Sequence, residues 1–127
     1  VGALESKLLG IATKYSSESN NADELSSFIQ ELEQAEILAE SIHLDQKSLI
    51  ANTNYVALVR IQAGIRLLSA SIKSSLARNE SRGVHQRSDF LEEDSELIHH
   101  ITVDNNSNIG TLAVRKGQKD NWILAPQ

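Results

Sequence analysis

The 127-residue chain contains neither cysteine nor methionine. Without cysteine there is no disulfide framework, no thiolate nucleophile and no cysteine-ligated zinc, a composition that leans toward a reducing compartment. Without methionine there is no initiator. The chain opens on Val1-Gly2 with neither a basic nor an apolar leader, so it is expected to be cut from a longer polypeptide. No uninterrupted apolar run approaches the roughly 20 residues that span a bilayer, so no direct membrane insertion is expected. The glycines at 2, 10, 64, 83, 110 and 117 never form the G-x-G-x-x-G turn that seats a pyrophosphate on a helix N-terminus, and the P-loop string is absent.

What is present is an ordinary globular composition, and at this length one domain can bury roughly two-thirds of its unfolded surface. The net charge of −5 is unevenly spread. Residues 1–50 carry three basic and nine acidic side chains, residues 51–90 six and two, and residues 91–127 three and six. A basic middle can face phosphates. A basic helix beside an acidic one in the same bundle needs no outside partner, however, and no nucleic-acid binding is expected.

The apolar spacing predicts three helices. Leu4, Leu8, Ile11 and Tyr15 line one face of the first, which is expected to end near Tyr15 before the polar run Ser16–Asn21. Asn21-Ala-Asp-Glu reads as a variant capping box opening the second helix. Leu25, Phe28, Ile29, Leu32, Ala35 and Ala39 form its stripe, and its glutamates form a solvated face. The third is expected from about Asn54 to Arg78, with Leu58, Ile61, Ile65, Leu68, Ile72 and Leu76 spaced nearly as a coiled-coil seam. Val56, Val59, Ala63, Ala70 and Ala77 widen that seam, which implies more than one neighbour. Gly64 inside it costs about 1 kcal/mol relative to alanine, so it marks a close helix approach.

The pattern implies an all-α fold: an antiparallel three-helix bundle of the spectrin-repeat kind over residues 1–90, with an irregular or β C-terminal tail over 91–127 in the same domain. In the tail, Ile98–Val103 and Thr111–Val114 read as two short strands joined by the Asp104–Gly110 linker, a small hairpin. Gly117–Asn121 read as a further turn before Trp122-Ile123-Leu124. A lone hairpin is marginal in water, so the tail must lean on the bundle or on another domain.

Most of the chemistry-bearing residues lie between the third helix and the tail. Ser81, His85 and Asp89 stand four apart, but a serine nucleophile needs a tight turn and an oxyanion hole, and no such elbow is visible. His99 and His100 would point to opposite faces of a strand, and no ligand pair has zinc spacing. Asn79-Glu-Ser and Asn105-Asn-Ser match the glycosylation pattern, which is common by chance and here lacks a secretion signal. The run Asn79–Asp89, with Arg78 before it, leaves two readings open. In one, the helix runs out, Gly83 supplies a backbone angle other residues resist, and the arginines pair with neighbouring acids. In the other, Arg82 and Arg87 present planar forks to a neighbouring domain with His85 as a hydrogen-bonding pivot between them.

The string Ala77-Arg-Asn-Glu-Ser-Arg-Gly-Val-His-Gln-Arg-Ser-Asp resembles the A-R-x-E-S-R-G-x-H-x-R-x-D segment near the C-terminus of fumarate reductase and succinate dehydrogenase flavoprotein subunits. L-aspartate oxidases share the Glu-Ser-Arg-Gly-x-His core. Asn52-Thr53 one helix length earlier, and Leu97-Ile98-His99-His100 after the acidic stretch, favour the fumarate reductase branch. The resemblance covers roughly Asp45 to Val103. Asn79 stands where the family has a basic residue, and the tail from Asn105 onward matches nothing in the pattern.

The resemblance implies a helical C-terminal domain that packs on flavin-binding and capping domains of the same polypeptide. It also implies a whole subunit that carries FAD, transfers hydride between the flavin and a dicarboxylate to interconvert succinate and fumarate, and passes electrons through an iron–sulfur subunit. Such a complex would sit in the cytoplasm, peripheral to the membrane. No catalytic, cofactor-binding or metal residue carries over to this chain. Glu80, Ser81, Arg82, Gly83, His85, Arg87 and Asp89 carry over as an interdomain contact, with the partners of Arg82 and His85 expected in other domains. A free-standing helical interaction module, its wide third-helix stripe docking a partner helix, is the alternative of a different class.

Overall fold

The structure, a computed structural model, describes residues 2–17, 19–45, 53–116 and 122–126. Three helices, α1 (Gly2–Ser17), α2 (Ala22–Asp45) and α3 (Thr53–Ala77), are followed by a short 3-10 turn (Ser95–Leu97). Three strands complete the order: β1 (His99–Val103), β2 (Ile109–Lys116) and β3 (Trp122–Pro126). The helical bundle with a β tail is as expected. α1 runs two residues past Tyr15.

The start of α2 follows from its cap. Asn21 Oδ1 accepts the Glu24 N–H at 2.9 Å, and Glu24 Oε1 accepts from Asn21 Nδ2 at 3.3 Å, so the two side chains close the box reciprocally. Leu4 and Ile11 of α1, Leu25, Phe28, Leu32, Ala35 and Ala39 of α2, and Leu58, Ile61, Ile65 and Ile72 of α3 form one buried cluster. Every one of these lies on a stripe set by helical periodicity. At Gly64 α3 comes close to α1: a Cβ there would stand 2.9 Å from Leu8 Cδ2.

By length and composition Tyr55–Ala77 is apolar enough to cross a membrane, at a mean hydropathy of 1.3, although Arg60, Arg66 and Lys73 interrupt it. Its Leu58, Ile61, Ile65 and Ile72 pack in the bundle core.

The tail corrects the expected hairpin to a three-stranded antiparallel sheet in the order β1-β2-β3. β1 pairs with β2 from His99↔Ala113 to Val103↔Ile109, so β2 begins two residues before the expected Thr111. β2 pairs with β3 from Leu112↔Pro126 to Lys116↔Trp122. The expected turn at Gly117–Asn121 lies outside the described residues. Between β1 and β2 the Asp104 carboxylate accepts the N–H groups of Asn106 and Asn108, which turns the chain back, and Ser107 takes a φ of 63° there. The sheet leans on the bundle through contacts of β1 and β2 with α3, which supplies the support a hairpin lacks alone.

Candidate functional site

The polar run after α3 folds as a knot over the end of the bundle, built from two short-range ion pairs. Glu80 and Arg82, and again Arg87 and Asp89, stand two residues apart, and in extended backbone alternate side chains point the same way. Arg82 donates from Nε to Glu80 Oε1 at 3.1 Å and from Nη2 to Oε2 at 3.0 Å. Arg87 donates from Nε to Asp89 Oδ1 at 2.8 Å and from Nη2 to Oδ2 at 2.7 Å. Both are the forked geometry that suits guanidinium and carboxylate.

Between the members of these pairs the chain reverses. Arg82 and His85 exchange backbone hydrogen bonds at 2.8 and 3.0 Å around a two-residue turn. Gly83 holds a φ of 58° at its first central position, a value that costs other residues about 1–2 kcal/mol. Val84 stands at the tip, fully exposed.

Arg87 is 1% exposed, and its position explains why α3 stops where it does. Its Nη1 donates to the carbonyls of Ser75, Leu76 and Arg78 at 3.1–3.2 Å, which would otherwise end the helix unsatisfied. A cation there also opposes the negative end of the α3 dipole. Asp89 does the converse for α2, accepting the Ala22 N–H at 3.0 Å in its first turn. One ion pair therefore closes the end of one helix and the start of another. Hydrogen bonds from the Arg87 side chain, opposed by partial burial and helped by Ala22, hold the Asp89 carboxyl at about 2, below its ordinary 3.8. The Phe90 ring covers the Arg87 guanidinium at 5.0 Å.

Glu80 is fully buried and ties the loop to the sheet. Besides Arg82 it takes the side chain of Arg78 and the Asp94 N–H, the latter at 2.8 Å. Arg78 continues to the carbonyl of Leu97 at 3.0 Å and to that of His99, at the entrance to β1. Burial alone would push the Glu80 carboxyl up. Hydrogen bonds from Arg82, Asp94 and Arg78 outweigh it and hold the group at about 2, against an ordinary 4.5.

Ser81 and His85 complete the knot. The Ser81 hydroxyl accepts the Arg87 N–H at 2.8 Å and donates to the Phe90 carbonyl at 2.6 Å. His85 Nε2 donates to the Arg78 carbonyl at 3.2 Å. The loop is laced to the α1–α2 connection by Asn20, whose N–H donates to the Gln86 carbonyl and whose carbonyl accepts the Ser88 N–H. Among the described residues no buried side-chain nitrogen or oxygen lacks a partner.

The structure brings the seven motif residues together but assigns them inward work. Ser81, His85 and Asp89 each bond elsewhere, so they form no relay. Within the chain Arg82 pairs with Glu80 and approaches Glu93 at 3.6 Å, and Arg87 is spent on Asp89 and the α3 carbonyls. The reading in which arginines pair with neighbouring acids is the one realised. Sequence reasoning counted Arg78 with the run but left it out of the carried-over motif, and it passed over Asn20. Arg78 had a signal, its spacing of two from Glu80; Asn20 had none, because it meets the loop through backbone groups while its side chain donates to the Tyr15 carbonyl at 3.0 Å.

A cleft of about 330 Å³ lies beside the knot, between Tyr15, Asn20, Ser75 and the Val84–Arg87 segment. Tyr15 Oη and Ser75 Oγ sit 2.5 Å apart in its wall. Among the described residues no group of His, Asp and Glu is arranged to hold a metal.

A family model described as fumarate reductase flavoprotein C-term matches residues 6–123. The chain is also similar to the fumarate reductase flavoprotein subunit from each of two strains of Mycobacterium tuberculosis, 37% identical over 71 residues. That stretch is 56% of this chain and 12% of each relative, so the chain spans a small fraction of their length. No solved structure matches it.

Proposed function

The chain belongs to the fumarate reductase flavoprotein C-terminal family, and from that membership we propose that it is the helical C-terminal domain of a subunit that interconverts succinate and fumarate. The domain's part is structural. The observation that supports this is the knot itself: every charged group of the Glu80–Asp89 motif is consumed in closing helix ends and joining bundle to sheet. None is left to polarise a substrate. The similarity to fumarate reductase flavoprotein subunits favours that reading over L-aspartate oxidase.

FAD belongs, on this reading, to other domains of the same polypeptide. A dinucleotide pyrophosphate needs free N–H groups at a helix start or glycine turn. At the start of α2 the N–H groups of Ala22 and Glu24 are taken by Asp89 and Asn21. The glycine turn is closed on itself by the Arg82–His85 hydrogen bonds. These residues do not fit the group. The flavin-binding and capping domains, an iron–sulfur subunit, and a cytoplasmic place at the membrane periphery complete the proposal. The motif's outward contribution to an interdomain contact is its Gly83–Val84 tip rather than its arginine forks.

The test is spectroscopic. The purified 127-residue chain given FAD with succinate or fumarate is expected to show no bound-flavin spectrum and no turnover, while the full-length protein shows both. A flavin-loaded or active chain would overturn the proposal.

A further inference from the structure

We draw no further inference here: the strongest candidate, the cleft of about 860 Å³ between α2, α3 and the β1–β2 connection, is walled by acids (Glu33, Glu36, Asp104) and bases (Arg66, Lys73) of this chain alone, and nothing in the structure shows what covers it.

Discussion

At the C-terminal end of α3 every charge of the motif is answered within the chain, whereas along the rear of the same helix a line of apolar side chains faces water. The difference teaches that dense polar chemistry at a helix end can be spent on closing the domain itself. Arg78, Arg82 and Arg87 have their guanidinium groups committed to Glu80, Asp89 and backbone carbonyls. Val56, Val59 and Leu67 are 51%, 45% and 72% exposed. A buried ion pair is costly to break because it leaves its partner unanswered, while an exposed apolar side chain is nearly free to change until something packs on it.

The largest expected effect comes from breaking the buried pair. Glu80→Ala leaves Arg78 without its carboxylate and Arg82 with only the exposed Glu93, and frees the Asp94 N–H, and it should lower the unfolding free energy of the chain by about 3–5 kcal/mol in a denaturant titration. Acid should do the same work gradually. Glu80 and Asp89 both sit near 2 in the folded chain, below their ordinary 4.5 and 3.8, so as pH falls the unfolded state takes up protons first. Their stabilisation is whole above about 4.5 and is lost as the pH falls through 4 toward 2. Melting temperatures measured across that window should drop, and the drop should flatten in a Glu80→Gln, Asp89→Asn double variant. The smallest effect is expected on the other side of the comparison: Leu67→Asp should change the isolated chain's stability by no more than about 0.5 kcal/mol.

Much of the bundle was legible in the residues. A period of 3.6 located all three helices, the Asn21–Glu24 box set the start of α2, and Gly64 marked the close approach to Leu8. Gly83 was readable as a left-handed turn because few other residues accept that angle. The pairing inside the knot was one of two open readings. Sequence shows that Arg87 lies two residues from Asp89, but not that the chain around them is extended, nor that the carbonyls ending α3 lie beneath. The third strand escaped because its partner β2 is reached across the Gly117–Asn121 segment, and strand pairing is a property of register that no local pattern displays. The rear stripe was visible as width, in Val56, Val59 and Ala63. Width alone does not say which side stays exposed; Leu67, at 72%, marks it.

The central claim is that the Asn79–Asp89 loop holds this domain together rather than waiting for another one. Chemical denaturation of the isolated chain carrying Arg87→Ala tests it most directly. Loss of the guanidinium strips the α3 carbonyls and Asp89 of their donor, and the unfolding free energy is expected to fall by about 3–5 kcal/mol. An Arg87→Ala chain that unfolds at the wild-type midpoint would contradict the account and put the arginine's true partner outside this domain.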